Sequence, residues 1–241
     1  RLNQSETAVL ETGFKDSDFE QVRLQDQPDI VVVNTCTVTE NGDADTRKLI
    51  KKINKETPQA KIALIGCQAQ ILKEKLLALH NVKWVIGNNQ KMDLYNILRQ
   101  TQSVDTPTVL TDKIKRKSFT IKHPGVDKKH TRANIKIQDG CDFYCAFCVI
   151  PFARGPARSR EFNDIIRECV ALVGAGHQEI VITGINLGTY ENASKTFLDV
   201  LDRLNNIEGL KRVRISSIEP TTIPKDIMQM MADPTHNLVD R

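Results

Sequence analysis

The chain has 241 residues, 40% of them hydrophobic, with a formal charge of +4 and a pI near 8.7. No apolar run approaches the roughly 18 residues that a membrane span needs, and no signal-peptide pattern opens the chain, so a soluble cytosolic protein is expected. The length suits two modest domains at roughly 100 to 200 residues each, and the mild positive charge permits a nucleic-acid partner without requiring one. Six cysteines in a reducing compartment point to metal ligands or redox centres rather than structural bridges.

Taken in chain order, Ser5 is placed to cap a short helix ending near Gly13, and the apolar run 29–34 reads as a buried strand with Cys36 just past its end. A helix over 43–57 puts Leu49, Ile50 and Ile53 on one face. The strand 61–65 follows, and Gly66-Cys67 closes it. Helices over 71–79 and 92–99 flank a third strand at 83–86. Strands alternating with helices predict a parallel sheet, in which residues beyond the C-terminal strand ends gather along one edge. Cys36 and Cys67 are therefore expected to be neighbours, either as metal ligands or as two small buried hydrophobes.

Residues 101–131 break the alternation. They are polar, contain two prolines, and carry a basic stretch with Lys113, Lys115, Arg116, Lys117, Lys122, Lys128 and Lys129, against which stand only Asp112 and Asp127. This is the composition of a basic interdomain linker, facing phosphates or simply solvated. From Ala133 three βα units are expected: strands at 134–138, 179–183 and 212–216, and helices at 163–173, 196–204 and 225–231. Cys169 shares a helical face with Ile165, Ile166, Val170 and Val173, which predicts core packing.

The chemistry concentrates in Cys141-Asp-Phe-Tyr-Cys145-Ala-Phe-Cys148, in the loop after the first of these strands, where βα folds carry their active sites. A [4Fe-4S] cluster has four irons, and three clustered thiolates with no fourth nearby leave one open to a ligand such as S-adenosylmethionine. Phe143, Tyr144 and Phe147 between the thiolates would shield such a cluster. A zinc site is the competing reading, although zinc fingers usually supply paired ligands from two knuckles. Two further stretches suit the cofactor. Thr183-Gly184-Ile-Asn186 lets a backbone approach closely and offers an amide, and Ser216-Ser217-Ile-Glu219-Pro220 offers hydroxyls and a carboxylate. Either is equally an ordinary turn or helix cap. Arg154, Arg158 and Arg160 are candidates for the methionyl carboxylate or for RNA phosphates.

With these residues in view, the chain resembles the methylthiotransferases of the radical S-adenosylmethionine enzymes. The resemblance rests on Asn3-Gln-Ser-Glu6, Asn34-Thr-Cys36-Thr-Val38, Gly66-Cys67-Gln-Ala-Gln70, Gly140-Cys141 through Cys148, and Arg154-Gly155. It implies an α/β protein: an N-terminal parallel-sheet methylthiotransferase domain (1–100) lacking its first strand, the basic linker (101–131), and the first half of a (β/α) radical barrel (132–241). By the resemblance the chain is truncated at both ends, because it begins at Arg1 past a third N-terminal cysteine and stops at Arg241 before an RNA-binding domain.

The resemblance further implies two [4Fe-4S] clusters in the full-length enzyme. One rests on Cys141, Cys145 and Cys148, and a second draws on Cys36 and Cys67. S-adenosylmethionine would be held by Thr183, Gly184, Asn186, Ser217, Glu219 and Arg158. The implied reaction adds a methylthio group to C2 of a tRNA adenosine. One S-adenosylmethionine serves as radical source and another as methyl donor, and an external electron donor, a sulfur donor and no conventional acid or base are required. Gly184 through Tyr190 and Ser216 through Pro220 look most like the branch acting on N6-threonylcarbamoyladenosine. The alternatives are isopentenyladenosine in tRNA, a ribosomal protein, another radical activity, or a zinc-stabilised RNA-binding module.

Overall fold

The computed structural model describes residues 2–15, 18–36, 40–104, 106–122 and 131–237, and the side chains of residues 40 and 41 are not among those described. The chain divides into two compact units. One comprises residues 13–115 and 143–155, the other residues 1–12, 116–142 and 156–241.

The chain opens with α1 (Leu2–Lys15), which holds Ser5 within the helix, buried, instead of at its cap. In the first unit, β1 (Ile30–Thr35), α2 (Glu40–Glu56), β2 (Lys61–Gly66), α3 (Cys67–Leu72), β3 (Val82–Ile86), α4 (Leu94–Thr101) and β4 (Thr108–Leu110) follow one another. The four strands pair in the order β1-β2-β3-β4, all parallel. The two central strands read as near-continuous apolar runs because both of their faces are covered. Ile62, Ala63, Leu64 and Ile65 of β2 and Trp84, Val85 and Ile86 of β3 are fully buried.

On α2 the apolar stripe is narrower than expected. Ile50 and Ile53 join the core with Val33, Ile62 and Leu64, whereas Leu49 is exposed. The stretch 101–131 is not connection throughout, since β4 lies within it and pairs with β3 through Trp84↔Thr108. Lys113, Lys115, Arg116, Lys117 and Lys122 are exposed, and Lys128 and Lys129 lie outside the described residues.

The second unit is built on β5 (Arg132–Lys136), followed by a two-residue strand, β6 (Gln138–Asp139). After the cysteine loop comes α5 (Ile150–Arg154), which belongs to the first unit. The second unit resumes with β7 (Arg158–Ser159), α6 (Phe162–Gly174), β8 (Glu179–Thr183), the hairpin β9 (Glu191–Asn192) and β10 (Lys195–Thr196), α7 (Phe197–Asn205), β11 (Arg212–Ile215) and α8 (Asp226–Ala232). β5, β8 and β11 form a parallel sheet with β8 central.

The expected strand 134–138 is divided. β5 stops at Lys136, and Gln138 turns away to pair antiparallel with Ser159. Cys169, Ile165, Leu172, Phe197, Val200 and Leu204 pack from the helices onto Ala133, Ile135, Ile180 and Ile182 of the sheet. Cys169 is core as expected, but Val170 faces solvent. At the start of α7, Thr196 and Asp199 form a reciprocal capping box, with the Thr196 amide donating to Asp199 Oδ2 at 2.7 Å.

Candidate metal centres and cofactor loops

In the first unit, the ladder between β1 and β2 ends on the pair Thr35↔Gly66, so Cys36 and Cys67 each follow a residue of the last paired rung. The two cysteines differ in surroundings: Cys36 is exposed and Cys67 is buried as the first residue of α3. Gly66 holds φ 98° and ψ −146°, a backbone region open essentially to glycine alone, and this lets the chain leave β2 directly into the helix. The third strand contributes as well. Asn88, two residues past the end of β3, donates from Nδ2 to Cys67 Sγ at 3.4 Å and to the Ala153 carbonyl at 2.7 Å. Its Oδ1 is buried with no hydrogen-bond partner among the described residues.

Sequence reasoning passed over Asn88. Its only signal is an asparagine in the first βα turn after a strand, and that is usually a turn residue.

The loop 140–149 carries the cysteine triplet, and the boundary between the units falls within it, after Asp142. On the second-unit side, Gly140 takes φ 73° and donates its amide to Asp139 Oδ1 at 2.9 Å. Asp139 is fully buried and meets Lys136 Nζ at 2.5 Å and an Arg158 guanidinium nitrogen at 3.1 Å, while Lys136 also reaches Glu6 at 2.7 Å. Two cations and two carboxylates thus neutralise one another beneath the turn into Cys141, the condition under which buried charge is tolerated. Asp142 is clamped by both terminal nitrogens of Arg116, at 2.7 and 2.8 Å. That hydrogen bond, foremost, holds its carboxyl below the usual range, and burial opposes the shift.

On the first-unit side, the Cys148 amide donates to the Cys145 carbonyl at 2.9 Å. Cys145 is exposed and Cys148 half-buried. Phe143, Tyr144 and Phe147 are open to solvent, Phe147 at 94%, so the expected aromatic shield is not closed over the thiols. Tyr144 meets Phe152 edge-on at 6.2 Å.

The remaining candidates lie on the second unit. Thr183 ends β8, buried, with its hydroxyl donating to the Ile135 carbonyl at 3.1 Å. A Cβ on Gly184 would stand 2.8 Å from Leu187 and 3.1 Å from Gln138, so the glycine permits close packing of its loop. Asn186 is buried, and its Oδ1 accepts from the Glu219 amide at 3.2 Å and the Thr222 hydroxyl at 2.8 Å, which ties the loop after β8 to the loop after β11. Ser217 is half-buried and its carbonyl accepts from the Leu187 amide at 2.9 Å. Glu219 is exposed.

Arg160 is placed differently from its sequence-based expectation. It is fully enclosed and pairs with Asp164 at 2.6 Å and with Glu168, so it is removed from any methionyl carboxylate or phosphate. Arg154 is buried on α5.

The donor set suits the groups that the spacing implies. All six cysteines are free thiols, and burial pushes the Cys169 thiol up. Among the described residues no three His, Cys, Asp or Glu side chains are already gathered as around a bound ion. For a ligand rich in acceptors, the structure offers two buried donors with no partner among the described residues, Asn186 Nδ2 and Arg158 Nε. An orphaned donor in a dry site is costly, and a ligand carboxylate or hydroxyl satisfies it.

The comparisons agree with this arrangement. Residues 135–239 match the Radical SAM superfamily, and residues 1–87 match the family described as Uncharacterized protein family UPF0004. The chain thus carries a segment matching UPF0004 followed by a segment matching the Radical SAM superfamily. It is 33% identical over 235 residues to a Bacillus subtilis protein named Threonylcarbamoyladenosine tRNA methylthiotransferase MtaB, covering 96% of this chain and 52% of the relative. An Aquifex aeolicus protein of the same name is 33% identical over 96% of this chain and 57% of its own length. A tRNA-2-methylthio-N(6)-dimethylallyladenosine synthase from Thermodesulfovibrio yellowstonii is 32% identical over 89% of this chain and 50% of its own length.

The chain therefore spans about half the length of the curated relatives it matches. In fold it is similar to the radical S-adenosylmethionine methyltransferase TsrM from Kitasatospora setae, solved with tryptophan substrate and an S-adenosylmethionine analogue. That likeness has a TM-score of 0.56 at 17% identity and covers 90% of this chain and 57% of the other. No helix among the described residues is long and apolar enough to cross a membrane.

Proposed function

We propose that this chain belongs to a cytoplasmic tRNA methylthiotransferase that adds a methylthio group to C2 of N6-threonylcarbamoyladenosine beside the anticodon. The observation that carries the reading is topological. The loop opening on Cys141 follows the first strand of the β5-β8-β11 sheet, and the Gly184–Asn186 and Ser216–Pro220 stretches follow the other two, all at the C-terminal strand ends of one parallel sheet. The names of the relatives at 33% identity favour the threonylcarbamoyl substrate, and the 32% match to a dimethylallyladenosine synthase keeps isopentenyladenosine as the alternative to be tested.

In this reading Cys141, Cys145 and Cys148 hold one [4Fe-4S] cluster, and Cys36 and Cys67 supply thiolates to a second. The clusters with S-adenosylmethionine supply one-electron cleavage of a sulfonium, hydrogen-atom abstraction and sulfur delivery. Thr183, Gly184, Asn186, Ser217, Glu219 and Arg158 surround S-adenosylmethionine, with Asn186 Nδ2 and Arg158 Nε donating to its acceptors. Burial of these donors keeps water from competing for them. Lys113, Lys115 and Lys117 face the RNA backbone, and electrons and sulfur come from external donors.

The test joins metal content to nucleoside analysis. After anaerobic reconstitution the chain is expected to hold iron and sulfide that Cys145→Ala largely removes and Cys169→Ala leaves in place. Zinc without iron and sulfide would overturn the radical reading. A strain lacking the gene should lose 2-methylthio-N6-threonylcarbamoyladenosine, and loss of a different methylthio product would overturn the choice of substrate.

A further inference from the structure

Gln138 is a polar side chain with no solvent exposure at all, placed between the two loops that matter most in the second unit. Its Nε2 donates to the Gly140 carbonyl at 2.8 Å, with longer contacts to the Asp139 carbonyl at 3.3 Å and the Thr189 hydroxyl at 3.4 Å. Its Oε1 accepts two amides, from Ile185 at 2.8 Å and from Asn186 at 3.0 Å. One planar carboxamide therefore grips the turn into Cys141 with its donor end and the loop after β8 with its acceptor end. The close approach of Gly184 to the same side chain, 3.1 Å from an added Cβ, shows that this loop is packed against Gln138 as well as bonded to it.

We propose that Gln138 is a positioning residue that fixes the Gly184–Asn186 loop relative to the Cys141 turn, and so sets where S-adenosylmethionine stands against the cluster iron. The inference rests on the functional reading above. The carboxamide suits this task for a stated reason. A buried hydroxyl lacks the span to meet both loops, and a carboxylate has the acceptor but no donor for the Gly140 carbonyl. Because both ends are shielded from water, neither loop can exchange its bond for a solvent one without leaving a buried group unsatisfied. Gln138 touches neither reacting atoms nor cofactor in this account and acts through the two loops.

The experiment compares wild type, Gln138→Leu and Gln138→Glu in the full chain, reconstituted anaerobically. Iron and sulfide per chain should be unchanged in both variants. S-adenosylmethionine binding, measured by equilibrium dialysis, should weaken about tenfold in Gln138→Leu, the scale of one or two lost buried hydrogen bonds. The change that S-adenosylmethionine induces in the electron paramagnetic resonance spectrum of the reduced cluster should be diminished or displaced. Gln138→Glu keeps the acceptor for the Ile185 and Asn186 amides and should fall between the two.

Amide exchange at Ile185 and Asn186 in the metal-free chain provides a readout that needs no cofactor, and it should accelerate in Gln138→Leu more than in Gln138→Glu. Wild-type affinity, spectrum and exchange in Gln138→Leu would overturn the proposal. If Gln138→Leu fails to fold, a wild-type result in all three measurements for Gln138→Glu overturns it equally. A wild-type chain that binds iron but not S-adenosylmethionine would overturn the functional reading, and this proposal with it.

Discussion

Replacing Gly66 by alanine tests how the first unit delivers Cys67. An added Cβ would lie 2.8 Å from Asn34 Oδ1 and 2.9 Å from the Thr35 carbonyl oxygen. The second of these is backbone locked in the β1-β2 ladder, so it cannot swing aside as a side-chain end would. Two costs combine: about 1–3 kcal/mol for a side chain in a backbone region open essentially to glycine, and about 1–3 kcal/mol for overpacking. A loss of about 2–6 kcal/mol is expected, a large share of the 5–15 kcal/mol typical of a domain. Urea unfolding followed by the fluorescence of Trp84 reads it, because Trp84 is the sole tryptophan and lies buried in β3 of the same unit. Gly176 separates the two costs, having φ 97° but nothing within 4 Å of an added Cβ, so Gly176→Ala should lose only about 1–2 kcal/mol. A loss under about 1 kcal/mol in Gly66→Ala would refute the steric argument.

Arg160→Met should destabilise the second unit by about 3–5 kcal/mol, because it removes the fully buried cation that Asp164 and Glu168 share, although Asp164 keeps Arg167. Far-ultraviolet circular dichroism during urea unfolding measures this, and adding Glu168→Gln should recover part of the loss. Anaerobic alkylation read by mass spectrometry should label the exposed Cys36 and Cys145 first and leave Cys169 unlabelled until the chain unfolds. Equal rates at Cys169 and Cys145 would contradict the burial assigned to α6. The Asp199 carboxyl should titrate near about 2, held down first by the Thr196 amide, then by the Thr196 hydroxyl and Lys195. With a depressed folded value its contribution is complete above the ordinary aspartate value of 3.8 and is lost as pH falls through about 2. Carbon-detected NMR titration measures this, and Thr196→Ala should raise the midpoint.

The parts of the molecule legible in the sequence are those governed by local pattern. β1, β2, β3 and β8 follow apolar runs, and α6 and α7 follow a helical period, because each is decided by burial of its own residues. Less legible were features set by partners far along the chain. β4 is three half-buried residues within a polar stretch, and only β3 beside it makes it a strand. Val170 and Leu49 fit a helical stripe by number but fall at its edge, where the neighbouring sheet does not reach.

The site divides in the same way. Cysteine spacing is a local property and could be read directly. Gln138, Asp139 and Asn88 act through side chains reaching other loops, and Arg160 resembles a ligand-binding arginine until its two carboxylates, four and eight residues on along α6, are seen to enclose it.

That division explains why the N-terminal cysteines needed a register and not only a pattern. In a parallel ladder a slip of one residue would exchange the faces of β1 and drive Val33 out of the core that Ile62 and Leu64 share with it. The register that buries Val33 and Thr35 sets Thr35 opposite Gly66, and by that pairing Cys36 and Cys67 leave the sheet on the same rung. Val33→Asp should accordingly do more than destabilise. By removing the residue that penalises a slip, it should lower the yield with which a short bifunctional thiol reagent bridges Cys36 to Cys67, even where circular dichroism shows the unit still folded. The comparison is made in a variant whose Cys141, Cys145 and Cys148 are all alanine, so that these thiols cannot compete for the reagent. A bridging yield equal to that of the same background with Val33 intact would show that the strand register does not set the alignment of the two thiols.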